Sequence, residues 1–229
     1  MRCIDAQYLE TPLYGWPKMT AALRRQGYPV NGKRVRRLMR HMGLQAVQAR
    51  KRPTTSTPGH RIYPYLLRDM SIERPNEVWC ADITYVPMPL GFLYLVAIMD
   101  WFSRYVVAWA LSNSLDGSFC RTALQQALQG SKPRVFNTDQ GSQFTAKSFT
   151  VLLETAGVQP SMDGRGRVFD NIFVERLWRT VKYEHLYLYD DETVPTVAQG
   201  LEAYFQFYNT QRPHQSLGYR TPAEVHHAT

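Results

Sequence analysis

From Phe92 to Met99 every side chain is apolar, which suits a short central strand covered on both faces. The segment before it, Val78 to Val86, alternates: Cys80, Asp82 and Thr84 share one face, and Trp79, Ala81, Ile83 and Tyr85 the other. Pro87 to Gly91 supplies the turn between the two, and Arg104 to Leu111 reads as a third strand. Connections this short predict antiparallel neighbours. The period then changes. Leu115 to Gln129 and Ala146 to Ala156 read as helices on either side of a short strand, Arg134 to Asn137. Asp170 or Asn171 caps a further helix, expected to run to about Tyr183. Phe173, Leu177 and Val181 form its buried stripe, with Asn171, Glu175, Trp178, Arg179 and Lys182 on the opposite side. Another helix, Val194 to about Thr210, carries Leu201, Tyr204, Phe205 and Tyr208 on one side.

The N-terminal part is patterned differently. Lys18 to Gln26 reads as a short helix, Gly27-Tyr28-Pro29 breaks it, and Asn31 caps a second helix to about Met42. In that second helix Val35, Leu38, Met39 and Met42 make one apolar stripe, while Lys33, Arg34, Arg36, Arg37 and Arg40 fill the remainder. Two short helices, the second apolar on one side and arginine-rich on the other, match a helix-turn-helix with a recognition helix for DNA. A helical hairpin docked on the core or on a partner protein is the alternative, and arginines this dense can hold phosphate without reading bases. Residues 45–75 hold a charged, then Ser/Thr/Pro/Gly-rich stretch without period, Arg50 to Arg61, and read as a basic linker. The expected division is therefore 1–44 helix-turn-helix, 45–75 linker and 76–229 α/β core.

Charge sharpens that division. The net charge is +8, yet residues 1–61 hold 13 Lys and Arg against Asp5 and Glu10, a balance of +11. The remainder is therefore −3, so the basic surface belongs to one end, as expected of a DNA-binding module beside a domain whose acids serve another purpose. At 229 residues and 44% hydrophobic the chain can bury one good-sized core with a small second domain, and disorder is excluded. No apolar run is long enough for a membrane span, and no secretory signal opens the chain. Cys3, Cys80 and Cys120 lie far apart without metal-ligand spacing, as reduced thiols of a cytoplasmic protein would.

Three acids bear the candidate chemistry: Asp82 in the first strand, Asp139 just past the short strand, and Glu175 on the capped helix, with 35 residues between the last two. Three carboxylates gathered by a fold can hold two divalent metals that clamp the oxygens of a phosphodiester undergoing in-line displacement. Asp139 alone also reads as a turn former, and Glu175 alone as a surface acid supported by Arg179.

The spacing and the words around each acid resemble the DDE catalytic core shared by bacterial transposases and retroviral integrases. Asn137 to Phe144 (NTDQGSQF) and Tyr204 to Val225 (YFQFYNTQRPHQSLGYRTPAEV) resemble the orfB product of insertion-sequence-three family elements, and the likeness runs from about Pro12 to Val225. It implies an RNase H-like integrase core, a mixed five-stranded sheet flanked by helices, which is also the order in which the strands and helices occur. It implies Asp82, Asp139 and Glu175 as catalytic residues and as ligands of two Mg²⁺ or Mn²⁺ ions. The implied reaction is cleavage at transposon 3′ ends followed by strand transfer, in a bacterial cytoplasm. Partners implied are the terminal inverted repeats, target DNA, further copies of the chain, and an upstream orfA product by fusion or association.

Arg165, in the Gly- and Arg-rich stretch Ser161 to Arg167, together with Arg179 and Lys182, is a candidate DNA contact beside the acids, and Asp163 lies in the same stretch. Asp100 is expected to be structural. Zinc is not expected, because the histidines are scattered and no cysteine pair accompanies them. An RNase H-like nuclease that cuts without joining, and a non-enzymatic DNA-binding regulator, are the rival readings.

Overall fold

A computed structural model describes residues 1–12, 14–46, 62–68, 70–89, 91–163, 172–188 and 193–228. The chain divides into two compact units, Met1–Thr54 and Thr55–Thr229. The central part of the expected linker, Arg50 to Arg61, and Arg165, Asp170 and Asn171 lie outside the described residues.

The first unit holds α1 (Arg2–Glu10), α2 (Trp16–Arg25) and α3 (Gly32–His41) around Ile4, Met19, Leu23, Val35 and Met39. Gly27, in the left-handed region at φ 86°, ends α2, where Tyr28 N donates to Leu23 O. The Asn31 side chain accepts from Lys33 N at 2.8 Å, so the predicted cap forms. The sequence reading missed α1, whose apolar positions are sparse: Ile4 and Gln7 are its buried residues.

The second unit is built on β1 (Val78–Met88), β2 (Gly91–Asp100), β3 (Val106–Ser112), β4 (Val135–Thr138) and β5 (Gln159–Met162), in the order β3-β2-β1-β4-β5. The first three are antiparallel, as their short connections predict, while β4 and β5 join in parallel. Helices α4 (Ser118–Gly130), α5 (Ser142–Thr145) and α6 (Lys147–Thr155) follow the chain between them. After β5 come α7 (Ile172–Val181), α8 (Val194–Thr210) and α9 (Pro222–His226).

Alternation along β1 decides which helices cover which face. Trp79 and Ala81 pack with Val96 and Ile98 of β2 under residues of α4 and α6, among them Phe119, Leu124, Phe149 and Leu153. Cys80, with Leu95, Ala97 and Met99, faces Val174, Leu177, Trp178 and Val181 of α7 and Leu201 and Phe205 of α8. β2 is thus covered on both sides, as its unbroken apolar run requires.

Asn209, near the end of α8, clips the helix to β3. Its Nδ2 donates to Val106 O and its Oδ1 accepts from Val106 N, both at 2.9 Å. Residues ahead of the sheet also belong to this unit. Tyr65, Leu67, Met70 and Ile72 pack with Val78 and Val135, and Leu66 N donates to Ser161 Oγ at 3.0 Å.

The structure corrects the face assigned to α7. Its buried residues are Val174, Leu177, Trp178 and Val181, whereas Phe173 is half-buried and Trp178, expected on the opposite side, points inward. A stripe at i, i+3, i+4 and i+7 buries more apolar area than one repeating every fourth residue, and the indole finds a polar partner inside for its N–H. The α-helix ends at Val181 and widens into a π turn, Lys182–Leu186, that buries His185 and Leu186.

Candidate active site

Parallel pairing of β1 with β4 sets Cys80 opposite Asn137. Two residues further along each strand come Asp82 and Asp139, so the register carries both acids to the same level of neighbouring chains. Asp82 lies inside β1 on the face covered by α7. Asp139 follows the end of β4, where parallel strands commonly present ligand-binding groups.

Helix α7 brings the third acid. Glu175 is exposed in its first turn, where the positive end of the helix dipole favours a carboxylate. One turn on, Trp178 Nε1 donates to Asp82 Oδ2 at 2.9 Å. The same helix therefore presents one acid and fixes the orientation of another. Sequence reasoning missed Trp178 because its partner is 96 residues away. The signal available was an indole one turn after an acid on the face assigned to solvent.

Burial pushes the Asp82 carboxyl up to about 6; the Trp178 hydrogen bond and the Ile83 amide oppose that rise, and the charges of Asp139 and Glu175 add to it. Asp139 keeps an exposed edge, yet protein crowds its carboxyl enough for desolvation to raise its pKa, against a 3.0 Å hydrogen bond from Gly141 N to Oδ1. Asp82 thus lies in the field of both other acids. A cation between them would relieve that repulsion, and an all-oxygen donor set suits Mg²⁺ or Mn²⁺. The side chains fit a divalent ion chemically. Among the described residues no three His, Cys, Asp or Glu side chains are gathered closely enough, as placed, to hold one ion together.

Gly141 is required by a close approach. A Cβ there would sit 2.9 Å from Asp139 Oδ1 and 3.4 Å from Oδ2. The rest of the Asn137-to-Gln140 segment is a brace. Asn137, fully buried, donates to Asp163 Oδ1 at 2.7 Å and accepts from Ser161 Oγ at 2.8 Å, and Gln140 Nε2 donates to Asp163 O at 2.8 Å. Asp163, read from sequence as part of a DNA-seeking stretch, is instead buried in this network, because β5 carries it against β4.

Asp100 is structural, as expected. Burial drives its pKa up, but hydrogen bonding with His226, Ser103 and the Asn76 amide holds it below the ordinary value. Asn76 N donates to Oδ2 at 2.7 Å, and Ser103 N and Oγ donate to Oδ1 at 2.8 and 2.6 Å.

Of the basic candidates, Lys33, Arg34, Arg36, Arg37 and Arg40 are all exposed on α3. Arg179 is exposed on α7 with its guanidinium 6.0 Å over the Tyr183 ring, and Lys182 is half-buried where the π turn begins. The C-terminal motif proves to be bracing for α8 and the π turn. Arg212 makes a bidentate pair with Glu184, Nε to Oε2 at 2.7 Å and Nη2 to Oε1 at 2.6 Å, and Tyr208 Oη meets His214 Nε2 at 3.1 Å.

Known proteins share these features. Integrase core domain models match residues 72–167 and 156–222, and an HTH-like domain model matches residues 1–52. The transposase for insertion sequence element IS904 of Lactococcus lactis is 34% identical over 221 residues, covering 92% of this chain and 86% of that protein. Transposase InsF for insertion sequence IS3A of Escherichia coli K12 is 34% identical over 177 residues, 75% of this chain and 62% of the relative. Among solved structures, the HTLV-2 integrase catalytic core domain, in complex with magnesium, superposes with a TM-score of 0.56 at 22% identity over 67% of this chain and 98% of that one. At that identity the likeness speaks for the fold.

Proposed function

The chain belongs to the insertion-sequence transposases with an integrase core domain, and from that premise we propose that Asp82, Asp139 and Glu175 are its catalytic acids. The observation that carries the assignment is the coupling of Asp82 to both Asp139 and Glu175 in a site where burial already raises two of the three carboxyls. A carboxyl buried in the field of two further acids is characteristic of a functional site.

In this reading the three carboxylates hold two Mg²⁺ or Mn²⁺ ions. Bound there, the metal supplies Lewis-acid activation of the attacking oxygen and charge neutralisation on the phosphate. The chain's own groups set the geometry. Trp178 holds Asp82 in one rotamer, the Gly141 amide does the same for Asp139, and α7 delivers Glu175 from the side. Water attacks a phosphodiester at the transposon end, the P–O3′ bond breaks, and a free 3′-hydroxyl and a 5′-phosphate result. That hydroxyl then attacks a second phosphodiester, forming one P–O bond as another breaks, so the strands join without a covalent protein intermediate. Arg179 and Lys182 follow Glu175 along the chain and serve as phosphate contacts, as would Arg165.

The helix-turn-helix within residues 1–44 supplies affinity for DNA through Lys33, Arg34, Arg36, Arg37 and Arg40, with a basic linker following it toward the core, whose packing begins by Tyr65. Transposon terminal repeats and target DNA are the substrates, in the bacterial cytoplasm. Joining two ends requires more than one copy of the chain, and an orfA product is a further partner.

Incubating the chain with pre-cleaved transposon-end DNA, a plasmid target and Mg²⁺ tests the proposal. Joined products are expected from the wild type, and none from Glu175→Gln, which should still bind DNA. Cleavage without joining by the wild type would favour a simple nuclease, and strand transfer by Glu175→Gln would remove the triad.

A further inference from the structure

Arg104 sits at the β2–β3 turn with φ 64°, a left-handed conformation that a side chain as large as arginine rarely adopts. Its guanidinium lies over the Phe173 ring, 3.2 Å from the centroid to Cζ, and its Nη1 is buried without a hydrogen-bond partner. Nor does it form an ion pair among the described residues. The acid closest in sequence, Asp100, is already engaged by Asn76, Ser103 and His226.

Arg104 lines a cleft of about 550 Å³ whose other wall is the C-terminal segment containing Ser216, Gly218 and Arg220. Arg220 is exposed and commits only Nε, to Leu217 O at 3.3 Å. Two arginines, a serine and a glycine therefore line one hollow, and no acidic residue among the described ones lines it. The aromatic side is Trp101, whose ring stands edge to face with Phe173 at 4.9 Å.

We propose that this cleft is a phosphate-binding subsite for the DNA backbone, with Arg104 and Arg220 as its two cationic arms. The fork of a guanidinium matches two phosphate oxygens, and Arg104 and Arg220 each keep guanidinium nitrogens uncommitted to a protein partner. Ser216 adds a hydroxyl, and the absent side chain at Gly218 leaves room for the sugar–phosphate chain. Location favours DNA over a free anion. Trp101 N donates to Val78 O and Asp82 lies four residues on from Val78, so the cleft is about 13 Å from the candidate catalytic acid along β1. Phe173, beneath Arg104, is two residues before Glu175. The inference rests on the DNA-joining reading above, and gives the Ser216-to-Arg220 part of the C-terminal motif a role that the bracing of α8 does not.

The test is the salt dependence of binding by the full chain to a labelled mixed-sequence duplex, read by fluorescence anisotropy. Each phosphate contact contributes about 0.9 to the slope of log affinity against log salt. Arg220→Gln should lower that slope by about 0.9, which is about eight-fold weaker binding at 0.1 M if the lines meet at 1 M salt. Arg104→Gln should lower the slope as well, with thermal melts verifying that each variant folds; the exposed Arg220 keeps the test decisive if Arg104→Gln does not. An unchanged slope for folded Arg220→Gln overturns the proposal. So does a melt stabilised by inorganic phosphate in the wild type but not in Arg220→Gln while the DNA slope stays equal, since the cleft would then hold a free anion. Glu175→Gln separates this from the catalytic reading: it should keep the full slope and lose joining.

Discussion

Replacing Trp178 with Phe removes the N–H that donates to Asp82 Oδ2 at 2.9 Å while keeping an aromatic ring in the buried stripe of α7. A hydrogen bond to a charged acceptor contributes about 1.5–3 kcal/mol. If that orientation is needed in the transition state, strand joining should slow by about 10- to 150-fold, taking 1.36 kcal/mol per factor of ten. A second signature is independent of rate. Asp82 is held at about 6 by burial against the opposing Trp178 bond, so loss of that bond lets its pKa rise. Because the ionised carboxylate is the form that can bind a cation, the acid limb of the pH–rate profile should move to higher pH. Single-turnover joining measured from pH 5.5 to 8.5 at saturating Mg²⁺ reads both. A folded Trp178→Phe protein with the wild-type rate and an unmoved acid limb would show that the indole only fills space.

Two further perturbations test other parts of the structure. Gly141→Ala places a Cβ 2.9 Å from Asp139 Oδ1, so the carboxylate must shift; a displacement of that kind should cost at least about ten-fold in joining while the melting temperature, read by circular dichroism, changes little. Burial above all, then the charges of Arg212 and Arg104, pushes His214 down to about 4. Between that value and the unfolded value near 6.5 the unfolded chain binds more protons, so this contribution to stability is complete above about pH 6.5 and is lost as pH falls toward 4. In His214→Gln the melting temperature should depend less on pH across that window than in the wild type, and identical slopes would refute the assignment.

What could be read from the sequence was local. The unbroken apolar run of β2, the alternation of β1, the Asn31 cap and the length of α8 are properties of neighbouring residues, and each appears in the structure. Elements set by distant partners were not legible. Gln159 to Met162 has a proline and no alternation, and becomes β5 only because β4 offers it a parallel edge. Trp178 was put on the wrong face because a helical wheel does not show Asp82 on the strand beneath. Asp163 looked solvated in a Gly- and Arg-rich stretch, yet Asn137 and Gln140 claim it. In the site itself, Asp82, Asp139 and Glu175 stood out through the words around them, whereas the groups that orient them are hydrogen-bond partners from other elements or, for Gly141, a missing Cβ.

The single turn separating Glu175 from Trp178 has an implication for how such a chain can change over time. Helical geometry rotates successive side chains by about 100°, so one residue inserted between these two would swing the indole away from Asp82 while leaving Glu175 where it was. Insertions between Asp163 and the start of α7 carry no such helical phase. Length can therefore drift there, whereas the three-residue interval inside the helix is quantised: only replacements, not insertions or deletions, preserve the linkage between the two acids.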